Sequence, residues 1–250
     1  MITKNKVLGH LPVALAPFAA FLLLCCSSAA TINPSPTDVP PLVNPCMLQK
    51  KQTIVILGSS IAAAVGASHY DSSWAGRLTT YCRKTMNLKD PVVNLARGGY
   101  VTAQILPNYT KNPQIDPKVN IDAALKFNPT CIIISMTTND VAMGVPYNEI
   151  MSNLETTIYY ALSKGIRYVL VTTPFPRAIN DNFVPRYLAY RDGVLQTYGA
   201  KAINFFDPVA DSDNLPRKDL LSGDHVHPND KGHEILFRSL LVGMSKQDCN

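Results

Sequence analysis

Charge is scarce in this 250-residue chain. Only 16% of residues are Asp, Glu, Lys or Arg, and 23 basic against 18 acidic residues leave a net charge of +5. So small and scattered an excess excludes the basic stripe of a nucleic-acid-binding protein. There are no heptads, no repeat at a solenoid or propeller period, and no glycine period of a fibrous chain. The longest apolar run, Leu11 to Cys26, contains Pro12 and Pro17. It falls short of the ~20 residues a membrane-spanning helix needs, so no stable span is expected. The cysteines form no metal-binding cluster. What is abundant is apolar: 46% of residues, enough to bury a core and to exclude disorder throughout. Soluble enzymes and binding modules remain.

Lys4 and Lys6 precede the apolar run, and Ser27, Ser28, Ala29 and Ala30 follow it. Basic, apolar, then small is the pattern of a secretory leader, which places residues 1–30 in a signal peptide cleaved after Ala30. Lipidation at Cys25 or Cys26 is the rival, disfavoured because Leu24 is large for the position before a lipidated cysteine. Either way the mature chain is exported, secreted or periplasmic, with its net charge reduced to about +3. Export makes the remaining cysteines candidates for disulfides. Cys46, Cys82, Cys131 and Cys249 allow three complete pairings. Cys46 and Cys249 sit at the two ends of the predicted domain and suggest a terminal clamp. Cys82, in a helical pattern, and Cys131, opening an apolar strand, read as buried free thiols.

Residues 31–50 read as an exposed linker, with five prolines between Thr31 and Pro45, and residues 51–250 as one domain. Within it short apolar runs alternate with helical patterns. The predicted strands are Thr53–Leu57, Pro91–Leu95, Cys131–Met136, Tyr168–Thr172 and Ala202–Phe206. The predicted helices are Trp74–Met86, Ile121–Phe127, Tyr147–Lys164, Phe183–Tyr198 (with Gly193 as a blemish) and Asn229–Met244. Strands and helices in alternation mean crossover units and a parallel sheet covered on both faces. Such a sheet binds ligands at the carboxyl ends of its strands, so chemically useful residues should cluster there.

They do. Gly58-Ser59-Ser60 follows the first strand, Asn94 to Gly99 the second, Thr137-Thr138-Asn139-Asp140 the third, and Asp224 to Asn229 the approach to the last helix. A serine hydroxyl is too weakly acidic to attack an ester unless a base lies within reach. Ser60 is therefore the candidate nucleophile and His227 the base that takes its proton and returns it to the leaving group. Asp224, three residues earlier, would hold the other ring nitrogen and stabilise the imidazolium. The backbone N–H groups of Ser60 and Gly99 and the side-chain amide of Asn139 would form the oxyanion hole. A glycine at 99 spares the incoming acyl group a side chain. Singly, each has a plainer use: Gly98-Gly99 as a turn, Asn139 as a helix cap. It is their order at successive strand ends that points to acyl transfer.

These blocks resemble the SGNH hydrolase superfamily, the GDSL-type esterases and lipases. Gly58-Ser59-Ser60 matches its Gly-Asp-Ser block, Gly99 the glycine of its second block, Thr137 to Asp140 its Gly-x-Asn-Asp, and Asp224 to His227 its Asp-x-x-His. The resemblance runs from about Thr53 to the last helix. Ser59 replaces the usual Asp and Thr137 the usual Gly. It implies a flavodoxin-like three-layer α/β/α sandwich with a five-stranded parallel sheet in the order 2-1-3-4-5. It also implies a serine esterase without metal or cofactor. That topology brings the two ends of the domain to the side opposite the site, in keeping with a Cys46–Cys249 clamp.

The expected substrate is a small-molecule or carbohydrate ester with a short acyl group such as acetyl, since no broad apolar lid is evident, and a monomer is expected. Arg97 and Tyr100, with the stretches 100–120 and 207–223, would shape the pocket rim. The alternatives are a non-catalytic exported carbohydrate-binding module, an O-acyltransferase using the same triad, and a zinc site at Asp224, His225, His227 and His233. The last has no recognisable ligand spacing.

Overall fold

Runs of β-branched and aliphatic residues set the framework. In a computed structural model, which describes residues 53–87, 89–178 and 183–247, Ile54–Gly58 (β1), Val92–Asn94 (β2), Cys131–Ser135 (β3), Tyr168–Thr172 (β4) and Ala202–Ile203 (β5) form one sheet. The proposed leader, the proline-rich stretch to residue 50, Cys46 and Cys249 lie outside those residues. All pairings are parallel and the order is β2-β1-β3-β4-β5, as expected.

Every residue of β1, β3 and β4 is buried, because successive side chains point to opposite faces and both faces are covered. Ile54, Ile56, Ile133, Leu170 and Ile203 pack under Trp74–Met86 (α1) and Asp230–Ser245 (α6). Val55, Leu57, Ile132, Ile134, Val169 and Val171 pack under Ile121–Leu125 (α2), Tyr147–Ser163 (α4) and Val184–Tyr198 (α5). This is the three-layer sandwich. A short helix, Thr138–Ala142 (α3), lies between β3 and α4. Cys82 and Cys131 are buried free thiols, as expected; burial pushes the Cys82 thiol up to about 12 and raises that of Cys131 as well, so neither is a nucleophile.

The elements depart from the sequence reading where side chains compete with the backbone. β5 stops after Ile203 because the Asn204 carboxamide oxygen accepts from the N–H groups of Phe206 and Asp207, and Phe205 N–H turns to the Thr173 hydroxyl. α2 ends at Leu125 because Lys126, Phe127 and Asn128 donate to carbonyls three residues back, tightening its last turn. Gly193 is no blemish: a Cβ there would collide with the Tyr147 hydroxyl, so glycine lets α5 close on α4.

The sheet order reverses between β1 and β3, since the chain runs from β1 out to β2 and returns to the other side. Their register sets Gly58 level with Ser135. The carboxyl ends of two strands at such a reversal are the place where these sheets bind ligands. Among the described residues no helix is long and apolar enough to cross a membrane.

Candidate active site

Ser60 stands just past β1. Ser59 N–H still donates to Ser135 O (3.2 Å), continuing the β1–β3 ladder, and then the chain turns: Ala63 N–H reaches Ser59 O and Val65 N–H reaches Ser60 O. Ser60 is thereby held at the carboxyl end of β1, only half buried.

The loop before α6 builds the partner. Ser222 N–H donates to His227 O, closing a tight loop in which His225 adopts φ +57°. Inside it one Asp224 oxygen, Oδ1, accepts from Val226 N–H (2.9 Å), His227 N–H (3.0 Å) and the Ser222 hydroxyl (2.8 Å). Its other oxygen, Oδ2, lies 2.6 Å from His227 Nδ1, and His227 Nε2 lies 2.8 Å from Ser60 Oγ. Desolvation opposes the Asp224 charge, but the bonds from His227, Val226 and Ser222 outweigh it and hold the carboxyl well below the usual carboxylate range. An ionised Asp224 leaves the hydrogen on Nδ1 and a free lone pair on Nε2, facing the serine.

Two further ties join the segments that follow Ser60 and His227; Asp230 is not singled out from the sequence, and His233 enters there only as a zinc ligand. The Asp230 carboxylate accepts from Ser68 N–H (2.8 Å) and the Ser68 hydroxyl (2.6 Å). The His233 ring accepts from Trp74 N–H (3.4 Å) and contacts Val65 O (3.2 Å). Both nitrogens of His233 thus face backbone groups of a buried interface, which takes it out of any cluster with His227. Among the described residues no group of three or more His, Cys, Asp or Glu side chains could hold a metal ion. A surface depression of about 450 Å³ includes Ser68, Ser222 and Asp230, but Ser60, His227, Gly99 and Asn139 do not line it.

The third and second strand ends meet beside Ser60. Gly98 comes nearest: a Cβ there would sit 4.0 Å from the Ser60 Cβ. Gly99 has φ +80° and open space where a Cβ would point, so its glycine answers a backbone need more than a crowding one. Neither Ser60 N–H nor Gly99 N–H has a protein acceptor among the described residues. Asn139 lies in the first turn of α3, and its Nδ2 donates to Tyr100 O (3.0 Å). Next to it Asp140 is fully buried and accepts from Thr102 N–H (2.8 Å) and the Thr102 hydroxyl (2.6 Å), pinning the Gly99 loop to α3. Thr137, where a glycine is usual, carries φ +75° in a three-residue turn closed by Thr138 N–H to Met136 O.

Of the rim residues, Arg97 is exposed and Tyr100 gives its hydroxyl to Asp116 (2.6 Å). Arg177, past β4, was not among the sequence candidates; its Nη1 donates to Asn139 Oδ1 (3.4 Å). Nothing in Pro174-Phe175-Pro176-Arg177 marks it, because its partner lies 38 residues away.

The sandwich is of the layered α/β class, with a Ser–His–Asp line at the switch point of its sheet. A family model described as GDSL-like Lipase/Acylhydrolase family matches residues 56–235, and the chain belongs to that family of ester-hydrolysing enzymes. No curated protein matches it. Among solved structures it resembles the psychrotrophic esterase EstA from Pseudoalteromonas sp. (19% identity, TM-score 0.55, 76% of this chain and 94% of that one). It also resembles the lipase Lip_vut3 from a goat rumen metagenome (17%, 0.60, 77% and 97%). A third is a variant of Axe2, an acetyl xylan esterase from Geobacillus stearothermophilus (16%, 0.60, 80% and 98%). At these identities the likeness is one of fold.

Proposed function

We propose that this chain is an exported serine esterase that hydrolyses carboxylic esters with short acyl groups, acetyl on carbohydrate among them, through an acyl-enzyme on Ser60. The observation that carries the reading is the continuous line from Asp224 Oδ2 through His227 to Ser60 Oγ, at 2.6 and 2.8 Å. Nε2 of His227 takes the hydroxyl proton as Oγ attacks the ester carbon, and Asp224 offsets the charge of the resulting imidazolium. The N–H groups of Ser60 and Gly99 and the remaining Nδ2 hydrogen of Asn139 receive the oxyanion. His227 hands its proton to the departing alcohol, and a water repeats the sequence on the acyl-enzyme. Arg97 and Tyr100 border the substrate. Apart from the Tyr100 ring, the residues named at this rim are small or polar (Arg97, Gly98, Gly99, Asn139, Arg177), which suits short acyl groups and a polar alcohol. Residues 1–30 act as a leader, 31–50 as a tether and 51–250 as the catalytic domain, working as a monomer without cofactor.

The test is a panel of p-nitrophenyl esters from acetyl to palmitoyl, with acetylated polysaccharides, on the mature protein beside Ser60→Ala and His227→Ala. Turnover should be greatest at the short end, and each variant should lose at least about a thousandfold in kcat while staying folded. A Ser60→Ala protein at full rate would refute the mechanism.

A further inference from the structure

Arg177 helps to orient Asn139, but its positive charge is not used by the ester chemistry above. It follows β4 on the carboxyl-end rim, half buried, and touches Asn139 through Nη1. Among the described residues no carboxylate forms an ion pair with it. Tyr187, close to it, donates its hydroxyl to Thr138 O (3.1 Å) and stays neutral, pushed up to about 12 by burial, and so supplies no countercharge. Arg97, on the opposite loop, differs: its field falls on Asp116, a carboxylate already bonded to Tyr100. The planar fork of Arg177 carries five donors and matches a carboxylate bidentately, and among the described residues only the bond from Nη1 to Asn139 is made by it. The position matters as much as the charge, because Asn139 is the side chain that would touch the reacting carbonyl group. Whatever sits against Arg177 sits one carboxamide away from the scissile bond.

We propose that Arg177 is a specificity residue that receives a carboxylate carried by the substrate, on the acyl or the alcohol side of the ester. The proposal rests on the esterase reading.

Matched pairs test it. The p-nitrophenyl monoester of succinic acid against p-nitrophenyl butyrate places the charge on the acyl side. Acetylated polygalacturonate against acetylated xylan places it on the alcohol side. With spontaneous hydrolysis subtracted, the wild-type protein should favour the anionic member of one pair by about tenfold or more in kcat/KM. That ratio should collapse in Arg177→Gln, survive in part in Arg177→Lys, and shrink as salt is raised. No anionic preference in either pair overturns the proposal. So does an Arg177→Gln protein that loses rate on both members equally, which would leave Arg177 a brace for Asn139 and nothing more. Labelling of Ser60 by a serine-reactive phosphonate separates the two levels. Labelled, active protein without charge preference sinks this inference alone; a protein that neither labels nor turns over any ester sinks the esterase reading with it.

Discussion

Two partners that cannot exchange roles fix the Asn139 carboxamide. Tyr100 O can only accept, so it takes Nδ2; Arg177 can only donate, so it takes Oδ1. The amide is therefore oriented before substrate arrives, with one Nδ2 hydrogen left over. Asn139→Ala should lower kcat by about a hundredfold or more while moving KM little, as for a donor used mainly in the transition state; a change confined to KM would remove Asn139 from the oxyanion hole. Thr137 shows the opposite economy. A β-branched residue at φ +75° is strained, by about 1–3 kcal/mol, and its hydroxyl is buried without a partner. Thr137→Gly should relieve the strain, offset in part by the greater freedom of glycine in the unfolded chain, for a net gain of about 1 kcal/mol. Denaturant unfolding checks the sign, and a loss would mean that the packing of the Thr137 methyl outweighs the strain.

Among the elements, α6 does the most for the site. Its cap, Asn229, accepts from Lys231 and Gly232 N–H and donates to Asp219 O and Leu221 O, tying the helix start to the loop that carries His227. One turn on, His233 fastens α6 to the segment after Ser60. Burial lowers the His233 pKa from 6.5 to about 4. Above pH 6.5 neither folded nor unfolded chain is charged there, so nothing is lost. Between pH 6.5 and 4 only the unfolded chain takes up the proton, and stability falls, by roughly 2 kcal/mol at pH 5; below pH 4 the loss levels off near ~3 kcal/mol. Chemical denaturation at pH 7 and pH 5 should show that drop in the wild-type protein and not in His233→Gln. Equal slopes for the two would assign the acid sensitivity to other groups.

At the scale of the whole molecule the open question is covalent. Cys82 and Cys131 are free and buried, so that with residues 1–30 removed as proposed, Cys46 and Cys249 would be the pair left for the proposed clamp. Non-reducing peptide mapping of the exported protein should recover those two joined and begin the mature chain at Thr31. Recovery of both as free thiols removes the clamp.

Local pattern carried much of this protein. The pentapeptides Ile54–Gly58, Cys131–Ser135 and Tyr168–Thr172, and the punctuation between them, are properties of neighbouring residues, so strands, helices and the layered class follow from the sequence itself. The Asp224–His227 pair was legible for the same reason: three residues on one turn meet without help from the rest of the chain. Its contact with Ser60, across 167 residues, was legible as an expectation from their chemistry and their places at strand ends, to which the resemblance added. The end of β5 was missed because Asn204 diverts the ladder with a side chain, which hydrophobic spacing does not register. Arg177 on Asn139, Asp140 on Thr102 and Asp230 on Ser68 were decided by the tertiary structure alone. Periodicity reports what a residue's neighbours along the chain require. Which loops share a rim depends on strand order and register, and those are set by the packing of the whole sheet.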